Sequence, residues 1–160
     1  MKSKIIISSL LCGLFLAGCG KKEEAAAPAA SASAVATLEL TANDSMKFSV
    51  TSFEVRAGQE VHVILTNIGN MPLAAMGHNW ILLAKGTDPK AFVDAAMNAA
   101  ATGYVPAAMA DKVLAHTKLL GPKQSDEIVF KAPAVPGEYT FICSFPAHFL
   151  AGMQGVLVVK

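Results

Sequence analysis

Three side chains able to bind a metal or attack an electrophile fall within the eleven residues Cys143-Ser-Phe-Pro-Ala-His-Phe-Leu-Ala-Gly-Met153. Four residues separate Cys143 from His148, and four separate His148 from Met153. The stretch joins two apolar runs that read as strands, "GEYTFICS" and "GVLVVK", so it is a loop with both ends held. Such a loop can fold a thiol, an imidazole and a thioether back on one point, with a fourth group coming from a neighbouring loop. His78, in "MGHNW", is the histidine placed to supply it. It follows Gly77, where a backbone carbonyl can also approach a metal, and it precedes an apolar strand. A thiolate and two imidazoles, with a weak thioether on the axis, form the donor set of a blue copper electron-transfer centre. Soft sulfur suits Cu(I) and imidazole suits both oxidation states, so little has to move when an electron arrives or leaves. Burial favours the less charged form, Cu(I) paired with one thiolate. The apolar neighbours Phe145, Pro146, Phe149 and Leu150 act in the same direction.

Other chemistries fit these residues less well. A Cys143 nucleophile with His148 as base lacks a third orienting group and an oxyanion donor. Zinc would want further Cys, His or carboxylate ligands and no methionine. A binuclear copper centre would need a second nearby cysteine. His62 lies in the alternating run "EVHVILT" on the face opposite Val61 and Val63, as a solvated strand residue. His116, in "LAHTKLL", has no ligand-type neighbours and reads as structural.

Cysteine usage sharpens the role of Cys143. Residues 1–18 carry Lys2 and Lys4, an apolar run and then small residues, the build of a secretory signal peptide. The run is too short to stay in a bilayer as a spanning helix, which needs about 20 apolar residues. Its end, Leu16-Ala17-Gly18-Cys19, resembles the lipobox of bacterial lipoproteins, which makes Cys19 the lipidated first residue of the mature chain. Cys12 leaves with the signal, so Cys143 is the one thiol of the folded part and no intramolecular disulfide can form there. An unpaired cysteine in an oxidising compartment calls for burial, ligation or catalysis.

The elements that must position the site follow a simple plan. Residues 19–35 hold the lipidated cysteine and an Ala/Ser/Pro-rich stretch with nothing large to bury, a flexible tether. Extended, its sixteen residues after Cys19 reach roughly 50 Å. Residues 36–160 form one domain. Its strand-like runs are "TLELTA", "KFSVTSFEVRAG", "EVHVILTNIG", "NWILLA", "DEIVFKA", "GEYTFICS" and "GVLVVK", punctuated by turn residues such as Gly69-Asn70 and Pro136-Gly137. The expected architecture is all-β, a Greek-key β-sandwich of seven to eight strands. An Ala-rich insertion interrupts it, with a helix expected over 89–101 after Asp88-Pro89 and a shorter turn over 107–113, packed on a sandwich edge or end. It carries no chemistry of its own. A net charge of +1 without a basic block excludes a nucleic-acid footprint.

The motifs "MGHNW", "AHTKLLGP", "PGEYTFICSFPAHFLAGMQG" and "GVLVVK" together resemble the cupredoxin family, most closely its azurin and auracyanin branch. The likeness spans nearly all of residues 36–160, the insertion included. It implies His78, Cys143 and His148 as equatorial ligands of one type 1 copper ion, Met153 as axial ligand, and the Gly77 carbonyl as a long further contact. It also implies that Asn79 and Ser144 tie the two ligand loops together by hydrogen bonds. The four residues of the second gap exceed the azurin spacing and match auracyanins, and the azurin disulfide has no cysteines here.

The expected function is that of a membrane-tethered carrier of single electrons, not an enzyme. The alternative is a copper-sequestering or surface-binding lipoprotein. A monomer would dock redox proteins, such as cytochromes or copper or haem oxidoreductases, on an apolar patch of Leu73, Ala75, Met76, Pro146, Phe149 and Leu150, where the edge of His148 is expected to emerge. The location would be the periplasmic or cell-surface face of a bacterial membrane. Gly20 after the lipidated cysteine is compatible with sorting to an outer membrane.

Overall fold

The computed structural model describes residues 34–160. The expected signal segment, Cys19 and nearly all of the tether lie outside the described residues. Nine strands stand in chain order: β1 (Ala36–Asn43), β2 (Lys47–Phe48), β3 (Ser52–Val55), β4 (Glu60–Asn67), β5 (Ile81–Leu83), β6 (Val113–His116), β7 (Ser125–Lys131), β8 (Gly137–Ile142) and β9 (Gln154–Val159). One sheet has the order β2-β1-β4-β7 and the other β3-β9-β8-β5-β6. The pairs β1–β4 and β3–β9 are parallel and the rest antiparallel, so the sandwich is mixed.

Period-two patterning builds the core. Leu38, Leu40 and Ala42 of β1 and Val61, Val63 and Leu65 of β4 are buried and alternate with more exposed residues. They meet Tyr139 and Phe141 of β8, Leu157 and Val159 of β9, and Trp80 in one cluster. The Trp80 ring lies 5.5 Å from Phe141 and 6.0 Å from Phe130, centroid to centroid. At Gly155 the second sheet has no room for a side chain: a Cβ there would collide with the Phe141 ring and the Thr51 carbonyl.

The strand count exceeds the expected seven to eight for two reasons. The run "KFSVTSFEVRAG" is not one strand but two in different sheets. Ser49 pairs with Thr41 of the first sheet, while the Thr51 carbonyl accepts from Val156 N–H of the second. β6, embedded in the Ala-rich insertion, pairs with β5 as an edge strand.

The insertion also departs from expectation. Its helix, α2 (Pro89–Ala96), begins where expected, with Pro89 in its first turn and the Asp88 carboxylate accepting from Lys90 N–H. It stops short of residue 101 because its apolar face runs out of core to enter: Phe92 and Ala96 are wholly buried, and Phe92 and Val93 pack against Ile81, Leu83 and Ile142, whereas Met97, the next residue, is 59% exposed. The chain then tightens into a 3₁₀ turn at Ala100–Thr102, and a second at Ala107–Lys112 fulfils the expected shorter turn. The insertion covers the outer face of the five-stranded sheet rather than an edge or end of the sandwich, which is why all of β5 is buried. A single helical turn before the site, α1 (Leu73–Met76), had no periodic signal in the sequence.

Candidate metal centre

Two loops at one pole of the sandwich bring the chemistry together. The first leaves α1, passes Gly77 and pins His78 to Leu120 in an isolated bridge, with N–H to carbonyl distances of 3.1 and 2.8 Å. Gly77 is buried, and a Cβ there would press on the Leu73 carbonyl and the Leu119 side chain, so the tight approach of α1 requires glycine. The second loop joins β8 to β9 and is bonded to itself. Phe145 carbonyl accepts from His148 N–H, His148 carbonyl from Met153 N–H, and Met153 carbonyl from Cys143 N–H, at 3.1, 3.0 and 3.1 Å. Ala147 takes a left-handed conformation, φ 67°, to let the loop turn. These bonds lie within the chain, so the protein itself contributes to holding the loop's shape.

The side chains of His78, Cys143 and His148 converge as expected. The ligating atoms of His78, Cys143 and His148 all lie within 4.8 Å of one another. Cys143 Sγ is 3.4 Å from His148 Nδ1, and the two imidazole rings are 4.8 Å apart. Met153 is wholly buried, and its backbone bonds to both Cys143 and His148 hold it in the same loop. His148 differs from expectation in one respect: its ring is only 2% exposed, so it sits just beneath the surface rather than emerging. Of the apolar patch, Leu73, Ala75 and Leu150 are exposed and Met76, Pro146 and Phe149 half-buried. Leu150, at 71% exposed, does not line the site.

Asn79 and Ser144 are joined as anticipated. Asn79 Oδ1 accepts from Ser144 N–H, and Asn79 Nδ2 donates to Ser144 Oγ, both at 2.9 Å. Both are buried, and every polar atom of the pair has a partner. His62 and His116 stay outside: His62 pairs with Glu127 at 3.0 Å on the outer face of the first sheet, and His116 Nδ1 meets the Thr117 carbonyl at 3.0 Å.

The electrostatics are those of a site waiting for a cation. Burial pushes the Cys143 thiol up to about 12, against the backbone N–H groups of Asn79 and Phe145, which favour the thiolate. Burial holds His148 down at about 4, with His78 adding to the effect. Burial also lowers His78, although Asp44 and the Asn43 backbone oppose it. Both imidazoles are therefore neutral at pH 7, with lone pairs free to ligate. His78 gives the strongest sign, since its buried Nδ1 and Nε2 make no hydrogen bond of good geometry, the Asn43 carbonyl being the backbone group that acts on the ring. Leaving such atoms unpaired costs about 1–3 kcal/mol each, and a metal bound by one of them would remove part of that penalty. One sulfur and two nitrogens in a buried cluster without a carboxylate are soft and borderline donors, which fits copper.

Comparison with known proteins agrees. The profile described as copper binding proteins, plastocyanin/azurin family, matches residues 34–160. Auracyanin-B of Chloroflexus aurantiacus is 39% identical over 119 residues, a match spanning 74% of this chain but 49%, about half, of that protein. Azurin of Achromobacter denitrificans is 38% identical over 83% of this chain and 89% of its own length. Outer membrane protein H.8 of Neisseria meningitidis is 37% identical over 71% of this chain and 61% of its own. The structure of dithionite-reduced auracyanin from Roseiflexus castenholzii superposes with a TM-score of 0.70 at 33% identity, covering 78% of this chain and 96% of that one. The chain thus belongs to the copper-binding plastocyanin/azurin family, the cupredoxin fold of blue copper electron-transfer proteins with one type 1 copper ion.

Proposed function

We propose that this protein is an exported, lipid-anchored carrier of single electrons in which His78, Cys143, His148 and Met153 hold the copper. The observation that carries the reading is the preformed, buried cluster in which His78 offers two unpaired ring nitrogens beside Cys143 and His148. Copper, when bound there, supplies a one-electron couple. The chain's own contribution is to keep its donors still. The loop bonded to itself and the Asn79–Ser144 link fix the two ligand loops, so reorganisation on electron gain or loss is small. Asn79 and Phe145 N–H groups stabilise the Cys143 thiolate, and the burial of all four residues excludes water and other ligands. Gly77, packed at the end of α1, would bring its carbonyl as the further contact that the family likeness implies.

Leu73, Ala75 and Leu150, exposed on the two ligand loops, with half-buried Met76, Pro146 and Phe149, would form the apolar docking patch near His148. It suits brief docking to redox proteins, whose interfaces are small, below about 1,200 Å². The lipobox-like Leu16-Ala17-Gly18-Cys19 supports an anchor at Cys19 and a place on the periplasmic or surface face of a bacterial membrane. The printed name of the Neisseria relative is in keeping with an outer membrane. Visible absorption and cyclic voltammetry on the copper-loaded protein test the reading. An intense thiolate-to-copper band and a reversible one-electron couple are expected, and a colourless, redox-silent copper form would leave copper sequestration instead. As a control, Cys143→Ser abolishes the colour and leaves the sandwich folded by circular dichroism; colour retained in this variant rules out Cys143 as the thiolate.

A further inference from the structure

The insertion has no chemistry of its own, yet the turn between its two 3₁₀ segments reaches the metal centre. Asn79 Nδ2 spends its second proton on the Gly103 carbonyl, at 2.9 Å. Ser144 Oγ donates to the Tyr104 carbonyl, at 2.7 Å. The Tyr104 ring meets Phe145 edge-on at 5.1 Å, and Phe145 in turn lies 4.7 Å from the His148 ring. Asn79 follows His78, Ser144 follows Cys143, and Phe145 touches His148, so this one turn contacts the immediate support of each of the three clustered donors.

Backbone conformation explains how it does so. Gly103 and Tyr104 are successive left-handed residues, φ 66° and 64°. In a helical arrangement of either hand, consecutive carbonyls point the same way, whereas in an extended chain they alternate. The left-handed pair therefore aims two adjacent carbonyls at one target. Glycine adopts this conformation without strain; a tyrosine does not, and it is held there by the surrounding bonds. Tyr104 N–H donates to the Ala99 carbonyl at 2.8 Å, and Thr102 Oγ1 reaches the Ala99 and Val105 carbonyls at 2.9 and 2.7 Å. Thr102 thus closes the turn from behind without touching the site.

We propose that the Gly103–Tyr104 turn is a positioning element for the copper centre, through which the insertion sets the spacing between the His78 loop and the Cys143–Met153 loop. The insertion is then a splint for the site as well as a cover for β5. The proposal rests on the ligand set given above, and part of its test needs no metal.

In metal-free protein, Cys143 is sealed and reacts with a thiol reagent only when the loops part. Gly103→Val places a β-branched residue where φ is positive and withdraws both carbonyls. The reference is Val159→Ala, a buried core truncation at the far pole, compared at conditions of matched global stability. Gly103→Val is expected to label about tenfold faster or more than this reference, from two lost hydrogen bonds. Its copper form is expected to show a shifted charge-transfer band and reduction potential. Thr102→Val gives the same pattern, smaller, and serves should Gly103→Val fail to fold. Tyr104→Phe, which keeps the backbone and the ring, matches wild type. Labelling that follows global stability alone, with unshifted band and potential, would overturn the proposal. Faster labelling without any blue band would uphold the splint and count against the copper ligand set.

Discussion

His78 and His148 are neutral because the fold takes them out of water, and that choice has a cost at low pH. The native His148 imidazole sits at about 4, below its ordinary 6.5, and His78 is lowered too. Between these values the unfolded chain binds protons that the native chain refuses, so stability falls as pH falls. The contribution is complete above about 6.5 and is lost as pH drops towards 4. Metal-free protein is therefore expected to lose about 1.4 kcal/mol per pH unit for each histidine titrating in that window, measured as the urea midpoint at successive pH values. Midpoints that stay level from pH 7 to about 4 would show that the histidines are not desolvated as described. Cys143, His148 and Met153 were legible in the sequence because a loop between two strands restricts where its side chains can go, and His78 because it follows a glycine at the head of an apolar strand. Gly103 and Tyr104 were not, since backbone carbonyls leave no trace in residue type. Ala147 gave no sign of its left-handed turn either, because no glycine marks it.

At the scale of elements, alternation in β1, β4, β7, β8 and β9 carried the fold, since each has one face to bury. Where two faces are buried, or an edge strand is short, the pattern fades: β5 was legible only as the short apolar run "NWILLA", and β6 was blurred into the Ala-rich insertion. The corner at residues 49–51 was invisible because its alternation runs on while its hydrogen bonds change sheets. Helix length failed for a tertiary reason: alanine propensity would continue α2, but the core its apolar face can enter ends at Ala96. Gly155 gives the sharpest test at this scale. Its neighbours are an aromatic ring and a backbone carbonyl, neither of which can swing away. Gly155→Ala is expected to destabilise by about 2–3 kcal/mol or more, read from chemical denaturation. A loss within about 0.5 kcal/mol would mean that β9 and β3 can part without cost.

For the whole molecule, the sandwich has a direction. The donors gather where β1 and β4 end, where β8 ends and where β9 begins. At the other pole Gln59 Nε2 holds the Ala34 carbonyl at 2.7 Å, and Ala57 N–H holds the Lys160 carbonyl at 2.8 Å. The eight residues of β4 put about 26 Å between the two poles. Docking should also depend little on salt, since residues 36–160 carry nine basic against ten acidic side chains. Because Ala34 and Lys160 share a pole, the molecule has in effect one handle. Grafted to an electrode through a linker at either terminus, it presents the same face outward, and the two orientations are expected to give electron-transfer rates within about threefold of each other by voltammetry. A much larger gap would mean that electrons leave by another side. Were the chain anchored at Cys19, the tether would join the domain at the pole opposite the exposed leucines, so the surface that holds the protein would not be the surface that competes for its port.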